Sequence, residues 1–270
     1  MYDTLTGNMP TNFAAIMVRT GTAAPIVICA VVALAVIFTA FYLRMCGLLS
    51  PGNKDEYNAD RQGSNERRTL EGRSFIFLGS SITLGFAAKK TSFADMIAYR
   101  NGCNCVKEAV SGTTLVDKNQ KSYVSRLKTI SPDTKCDVFV CQLSTNDASF
   151  KSPLGTLSEN TDIGSFDTHT IYGAMEYIIA YVKDTWNCPV LFYSNPRYPS
   201  EQYEAMVGAL DRVAAKWDVH VLDLWNNKQL EIPAQYAMND KIHPTKKGYA
   251  IWTPFFEEKL EEILDGGAQE

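Results

Sequence analysis

Short, nearly continuous apolar runs alternate with helical patterns from residue 73 onward, and this alternation constrains the fold more than any other feature. Between the runs lie segments with apolar side chains at helical spacing, such as 203–217 and 252–264. The five runs predicted as strands are residues 74–78, 106–110, 137–143, 189–193 and 219–222. Strands that are apolar at almost every position belong to a parallel sheet covered on both faces. The pattern therefore predicts a three-layer, flavodoxin-like α/β/α sandwich with a mostly parallel five-stranded sheet.

A separate feature is the run from Pro25 to Leu43, which is 19 positions without a charge. A helix of roughly 20 apolar residues spans the hydrocarbon core of a bilayer. The 24 residues before the run contain only Arg19 as a basic side chain, and Arg44-Met45-Cys46 is a poor cleavage site, so a removed signal peptide is disfavoured. We predict a single-pass membrane anchor. The predicted segments are a tail over 1–24, a transmembrane helix over 25–43, a linker over 44–72 and a globular domain over 73–265.

The charges beside the predicted anchor bear on its orientation. Three basic side chains follow the helix, namely those of Arg44, Lys54 and Arg61. The positive groups before it are Arg19 and the α-amino group. A literal count of these charges by the positive-inside rule favours a cytoplasmic domain. Long domains, however, cross the membrane largely regardless of the charges that flank the anchor. We expect an extracytoplasmic domain, and the sequence leaves the opposite orientation open.

Charge and cysteine content narrow the possible partners. A net charge of -4 gives no electrostatic reason to expect a nucleic-acid partner. Five of the seven cysteines lie in the globular part, and an odd number is a poor disulfide framework. Cys103 and Cys105 are too close for an unstrained disulfide and lack a second pair at zinc spacing. We interpret the cysteines as buried or incidental thiols, with a redox or metal role as the alternative.

Polar and small residues follow the predicted strands, at the sheet edge where α/β proteins bind ligands. Ser81 and Gly112 come after the first two strands, and Asn146 comes after the third. Asp240 and His243 lie in a polar segment near the C-terminus, and His243 is one of only three histidines. A carboxylate three residues before a histidine can turn back and hold its ring in one tautomer. Each residue alone also fits an ordinary turn, loop or helix cap.

Taken in order, these four segments resemble the four motif blocks of the SGNH (GDSL-like) hydrolase family over about residues 73–264. The resemblance implies that Ser81 is the nucleophile, His243 the general base and Asp240 its orienting carboxylate. It also implies an oxyanion hole formed by the backbone N–H groups of Ser81 and Gly112 and the side-chain amide of Asn146.

Two positions depart from the family pattern. The family's Gly-Asp-Ser is Gly79-Ser80-Ser81 here, and its Gly-x-Asn-Asp is the segment 144–147, which begins with Ser144. Neither departure removes a reacting group. The side chain of Ser144 is expected to alter rate or substrate fit, because it replaces a glycine near the oxyanion region.

The resemblance implies a serine esterase that needs no metal or organic cofactor. We expect a short acyl group on a small polar molecule or a glycan, because the insertion at 148–168 has few large apolar side chains. That insertion is either a substrate-selecting lid or a plain surface loop. Tyr193, Asn195 and Arg197, after the fourth strand, are candidate contacts to the polar part of the substrate. The alternatives are a lysophospholipase or other lipid esterase, an acyltransferase on the same fold, and a catalytically silent membrane-tethered binding module. The oligomeric state is left open.

Overall fold

The protein is described by a computed structural model that covers residues 12–266, with side chains from residue 27 onward. The chain divides after Arg44 into two units. The first is formed by helix α1, Asn12–Met45, whose Val27–Met45 stretch is long and apolar enough to cross a membrane. The helix therefore begins inside the predicted tail 1–24. The apolar run marks only the part of a helix that can cross a membrane, so it did not predict the turns before it. Residues 1–11 of that tail lie outside the described residues.

The second unit contains a parallel sheet in the order β2-β1-β3-β4-β5, which confirms the predicted architecture. The strands are β1 Ser74–Gly79, β2 Asn104–Ala109, β3 Val138–Gln142, β4 Val190–Tyr193 and β5 His220–Leu222. The helices are α2 Ser81–Leu84, α3 Phe93–Asn101, α4 Tyr123–Leu127, α5 Thr145–Ser149, α6 Ile171–Thr185, α7 Glu201–Trp217 and α8 Lys246–Gly266. Short 3-10 segments lie at Pro51–Asn53, Asp55–Tyr57, Ala59–Arg61, Phe86–Ala88, Ile163–Ser165 and Lys228–Leu230.

Two apolar layers cover the sheet, one on each face. Successive strand residues point to opposite faces, so Ile76 and Leu78 pack against α4, α6 and α7, whereas Phe75 and Phe77 pack against α3 and α8. The central strands are buried at every position, as their apolar runs predict. The outer strand β2 is partly exposed because it pairs with β1 alone.

The predicted linker 44–72 is instead a packed part of the second unit, which begins at Met45. Asn53 is 2 % exposed, and its Nδ2 donates to the carbonyl oxygens of Gly47 and Ala87, each at 2.7 Å. Its Oδ1 accepts the N–H of Lys246 at 2.8 Å. The segment buries only isolated apolar side chains such as Leu70 and is otherwise held by polar contacts such as those of Asn53, so hydrophobic periodicity could not reveal it.

Replacing Asn53 by alanine is expected to lower the free energy of unfolding by about 3 kcal/mol, because three buried backbone groups lose their partner. Chemical denaturation of the full chain in detergent, followed by tryptophan fluorescence, measures the loss. The matched control is Asn160→Ala at an exposed position, which we expect to change the midpoint little. Equal midpoints for the two variants would contradict a structural role for Asn53.

Candidate active site

Ser81 is the first residue of α2, directly after the carboxyl end of β1. The turn before it is tight: a Cβ atom on Gly79 would lie 1.8 Å from Oγ1 of Thr83, so a side chain cannot fit there. Gln142 Oε1 accepts the N–H of Ser80 at 2.9 Å and the hydroxyl of Thr83 at 2.8 Å. These contacts fix the turn that presents the Ser81 hydroxyl.

Hydrogen bonds connect Ser81, His243 and Asp240 in a continuous chain. Ser81 Oγ lies 2.8 Å from His243 Nε2, and His243 Nδ1 lies 2.8 Å from Asp240 Oδ2. Since Nδ1 faces a carboxylate, it must carry the proton, which leaves Nε2 free to accept from the serine hydroxyl. The ring of Phe86 packs against the imidazole, with the ring centroids 5.5 Å apart. The arrangement can move a proton from the hydroxyl to the imidazole.

The turn before His243 keeps the Asp240 side chain ionised. Burial alone would raise the pKa of Asp240, but the hydrogen bond from His243, electrostatic attraction to its imidazole and the N–H groups of Ile242 and His243 outweigh it. The pKa of Asp240 therefore lies below its ordinary value. Oδ1 accepts those two N–H groups at 2.9 and 2.8 Å, which also fixes the orientation of the carboxylate.

Asn146 is hydrogen-bonded to Thr113, the residue that follows Gly112 in the chain. Gly112 has a φ of 78°, in the left-handed region that favours glycine, in the loop after β2. Asn146, on α5, donates from Nδ2 to the carbonyl oxygen of Thr113 at 2.9 Å. The structure thus links the predicted oxyanion residues to each other at the carboxyl edge of the sheet.

Arg126 of α4 was missed by sequence reasoning and ties two of these loops together. Its side chain is 7 % exposed. The guanidinium donates to the carbonyl oxygen of Gly79 at 2.7 Å, to Thr113 Oγ1 at 3.2 Å and to Glu108 Oε1 at 2.9 Å. It therefore connects the turn before Ser81 with the loop after Gly112. A basic residue on a short helix gives no local sign of such a role.

Two further residues, Asp147 and Gln142, lie close to Asn146 in the sequence and support the site. Asp147 Oδ2 accepts the N–H of Leu115 at 2.6 Å, and burial raises the pKa of its carboxyl group. Gln142 is the one amide side chain in the otherwise apolar strand β3, and that irregularity was a usable signal. Both residues hold the backbone that carries the candidate catalytic groups.

The predicted substrate contacts need correction. Tyr193 is 1 % exposed and packs between the sheet and α8, with its hydroxyl 2.7 Å from Thr83 Oγ1. Alternation along β4 places its side chain on the sheet face covered by α3 and α8, where it supports the turn that carries Ser81. Asn195 is also buried, and its N–H donates to the hydroxyl of Tyr203. Arg197, the third predicted contact, borders a cavity.

That cavity, of about 210 Å³, borders Asp240 on the side of β4. Charged side chains at its border include Arg197 and Lys241. Its apolar lining includes Pro196, Leu230, Ile232, Met238, Ile251 and Trp252. The cavity can hold an apolar group beside Asp240, although its lining includes neither Ser81 nor His243.

The insertion at 148–168 is anchored to the helices behind it. Glu176 Oε2 accepts the N–H of Ser158 at 2.9 Å. Lys216 Nζ donates to the carbonyl oxygens of Ser158 and Asn160 at 2.8 and 2.5 Å and pairs with Glu176. These contacts to α6 and α7 favour the plain surface loop over a mobile lid.

Comparison with known proteins gives a sequence-family match and several structural matches. Residues 77–251 match the GDSL-like Lipase/Acylhydrolase family. A protein from Lactobacillus plantarum is 23% identical, with a TM-score of 0.59 over 72% of this chain and 98% of its own. A candidate GDSL-like lipase from Bacteroides ovatus is 16% identical, with a TM-score of 0.54 over 70% and 97%.

A third solved structure is a family two carbohydrate esterase from Clostridium thermocellum in complex with cellohexaose. It is 14% identical, with a TM-score of 0.51 over 73% of this chain and 65% of its own. At these identities the structural matches show a shared fold. No curated protein matches the chain.

Proposed function

The chain belongs to the GDSL-like lipase/acylhydrolase family, and from that membership we propose that it is a serine esterase. Ser81 is the nucleophile, His243 the general base, and Asp240 the carboxylate that orients it. The observation that carries the proposal is the continuous hydrogen-bond chain from Ser81 Oγ through both nitrogens of His243 to Asp240.

The proposed reaction is acyl transfer to water in two steps. His243 Nε2 takes the Ser81 proton as Oγ attacks the ester carbonyl carbon, and the imidazolium then protonates the departing alcohol. In the second step a water molecule gives a proton to His243 and attacks the acyl carbon; the bond to Ser81 Oγ then breaks, the imidazolium returns its proton to that oxygen, and the carboxylic acid leaves. Asp240 stabilises the imidazolium in both steps, and its lowered pKa keeps it charged for that role.

The oxyanion that forms in each step needs hydrogen-bond donors. We assign the backbone N–H groups of Ser81 and Gly112 and one amide hydrogen of Asn146. The bond from Asn146 Nδ2 to the Thr113 carbonyl supports this assignment, because it uses one amide hydrogen to fix the orientation of the other.

Replacing Asn146 by alanine is expected to lower kcat by about 10²–10³-fold with little change in KM, because its amide binds charge that develops in the transition state. Asn146→Asp is the matched variant: it keeps the shape but replaces the donor with a negative charge. Steady-state kinetics on a chromogenic ester measures both. A variant Asn146→Asp with normal kcat would exclude the amide from the oxyanion hole.

For the substrate we propose a short acyl ester on a polar or glycan molecule, supported by the polar flank at 148–168. The carbohydrate esterase of similar fold adds support, since that protein was solved with an oligosaccharide. A second candidate is a longer acyl chain, as in a lipid ester, and the apolar cavity beside Asp240 favours it.

Turnover of p-nitrophenyl acetate, butyrate and octanoate by the full chain in detergent separates the two candidates. A steep fall with chain length supports the short acyl ester, and a preference for octanoate supports the lipid ester. Faster acyl release on addition of a sugar would identify an acyltransferase. A folded protein that turns over none of these esters and is not labelled by a fluorophosphonate would be a binding module.

We also propose that α1 anchors the domain in a membrane, with the domain outside the cytoplasm. The length of the apolar stretch and its exposed side chains support an anchor. Protease added to intact cells should then digest the domain, whereas a cytoplasmic domain would be digested only after permeabilisation.

A further inference from the structure

Two cysteines that are 52 positions apart in the chain meet at the amino ends of neighbouring strands. The Sγ atoms of Cys136 and Cys188 lie 3.4 Å apart. Cys136 comes two residues before β3, and Cys188 comes two residues before β4. These strands pair in parallel with Phe139 opposite Val190, which brings Asp137 opposite Cys188. The two cysteines therefore lie on adjacent chain segments, and their Sγ atoms are already close enough for a small movement to bring them to disulfide bonding distance.

We propose that Cys136 and Cys188 form a disulfide in the exported domain. The oxidant is itself a disulfide, either of a thiol oxidoreductase or of glutathione. In the first exchange the thiolate of one cysteine of the pair attacks one oxidant sulfur, which forms a mixed disulfide and releases one oxidant thiol. The thiolate of the other cysteine then attacks the protein sulfur of that mixed disulfide and releases the second oxidant thiol. The two protein thiols lose two electrons and two protons, and the oxidant becomes two thiols.

The contact between the two thiols shifts their pKa values in opposite directions. The hydrogen bond between Cys188 and Cys136 lowers the pKa of Cys188, although burial opposes the change. The same contact, together with burial, raises the pKa of Cys136. Cys188 is thus the readier thiolate of the pair while Cys136 is still a thiol.

The other close pair is a weaker candidate. Cys103 and Cys105 have Sγ atoms 3.7 Å apart but are separated by one residue, so a bond between them would close a very small strained ring. Cys141 is buried within β3. The five cysteines from residue 73 onward are therefore compatible with one disulfide, which their odd number alone did not suggest.

The proposed bond lies at the sheet edge opposite Ser81, so its expected effect is on stability and not on turnover. It closes a loop that contains β3, α5, the 148–168 insertion and α6. Restricting that loop in the unfolded chain should raise the melting temperature by roughly 5 °C or more.

The test uses the full chain isolated from cells whose free thiols are blocked with N-ethylmaleimide before lysis. After denaturation in excess N-ethylmaleimide, the protein is reduced, alkylated with iodoacetamide and digested. Mass spectrometry should find iodoacetamide on Cys136 and Cys188 and N-ethylmaleimide on Cys103, Cys105 and Cys141. N-ethylmaleimide on both Cys136 and Cys188 would overturn the proposal.

Melting of the purified chain gives a second, independent reading. Dithiothreitol should lower the melting temperature of the wild type but not of Cys188→Ser, and Cys105→Ser should behave like the wild type. An equal response of wild type and Cys188→Ser would also overturn the proposal. Neither measurement depends on ester turnover, so a failure here is distinguishable from a failure of the esterase assignment.

Discussion

Ester turnover by the Ser81→Ala variant is expected to fall by about 10⁵–10⁶-fold, because the variant lacks the oxygen that forms the acyl-enzyme. The side chain is 4 % exposed, and its hydroxyl contacts His243, so removing it leaves the backbone turn and the core in place. We therefore expect the loss in kcat at nearly unchanged stability. The measurement is kcat on the preferred p-nitrophenyl ester, together with labelling by a fluorophosphonate, which should attach to the wild type at residue 81.

Ser80→Ala is the matched control, because the neighbouring serine has the same side chain and is also buried. Its Oγ lies 3.4 Å from Gln142 Oε1, and Gln142 retains the N–H of Ser80 and the Thr83 hydroxyl as donors in that variant. We expect Ser80→Ala to keep turnover within about tenfold of the wild type, since it removes only a long hydrogen bond. Full activity in Ser81→Ala, or equal losses in both variants, would remove Ser81 as the nucleophile.

The strands and the candidate triad were predictable because their signals are local. An apolar run needs only its own residues to identify a buried strand, and Asp240 lies three residues from His243, so one turn sets their distance. Ser81 follows β1 directly. Residues of the catalytic site are expected at the carboxyl ends of parallel strands, so the serine and the histidine could be predicted to meet there.

The supporting contacts were not predictable because they join residues that are far apart in the chain. Arg126 reaches Gly79 across 47 positions, and Asn53 connects to Lys246 across 193. Tyr193 is the last residue of β4, close to where a ligand contact would lie, but the packing of α3 and α8 shows that its side chain is part of the core. Sequence patterns describe one element at a time, and these contacts depend on how elements pack.

Replacing Asp240 by asparagine is expected to lower kcat by about 10⁴-fold, although the side chain keeps its shape. An amide nitrogen facing His243 Nδ1 donates a hydrogen, which moves the imidazole proton to Nε2, and that nitrogen can then no longer accept the Ser81 proton. Glu231→Gln is the matched control: it makes the same change of charge in the loop before Asp240, at an exposed position. Equal kinetics for the two variants would show that Asp240 does not act on His243.

Comparing the wild type with Asp240→Asn also gives an expected pH dependence of stability. The pKa of Asp240 in the folded protein is below its ordinary value, so its ionised form stabilises the fold at pH values above the ordinary carboxyl pKa. That contribution is lost as the pH falls through the lowered pKa. The unfolding midpoint of the wild type should therefore exceed that of Asp240→Asn at neutral pH, and the difference should shrink on acidification below about pH 4. A difference that stayed constant from neutral to acid pH would mean that the carboxylate charge does not produce it, and the case for an ionised Asp240 holding His243 would fail.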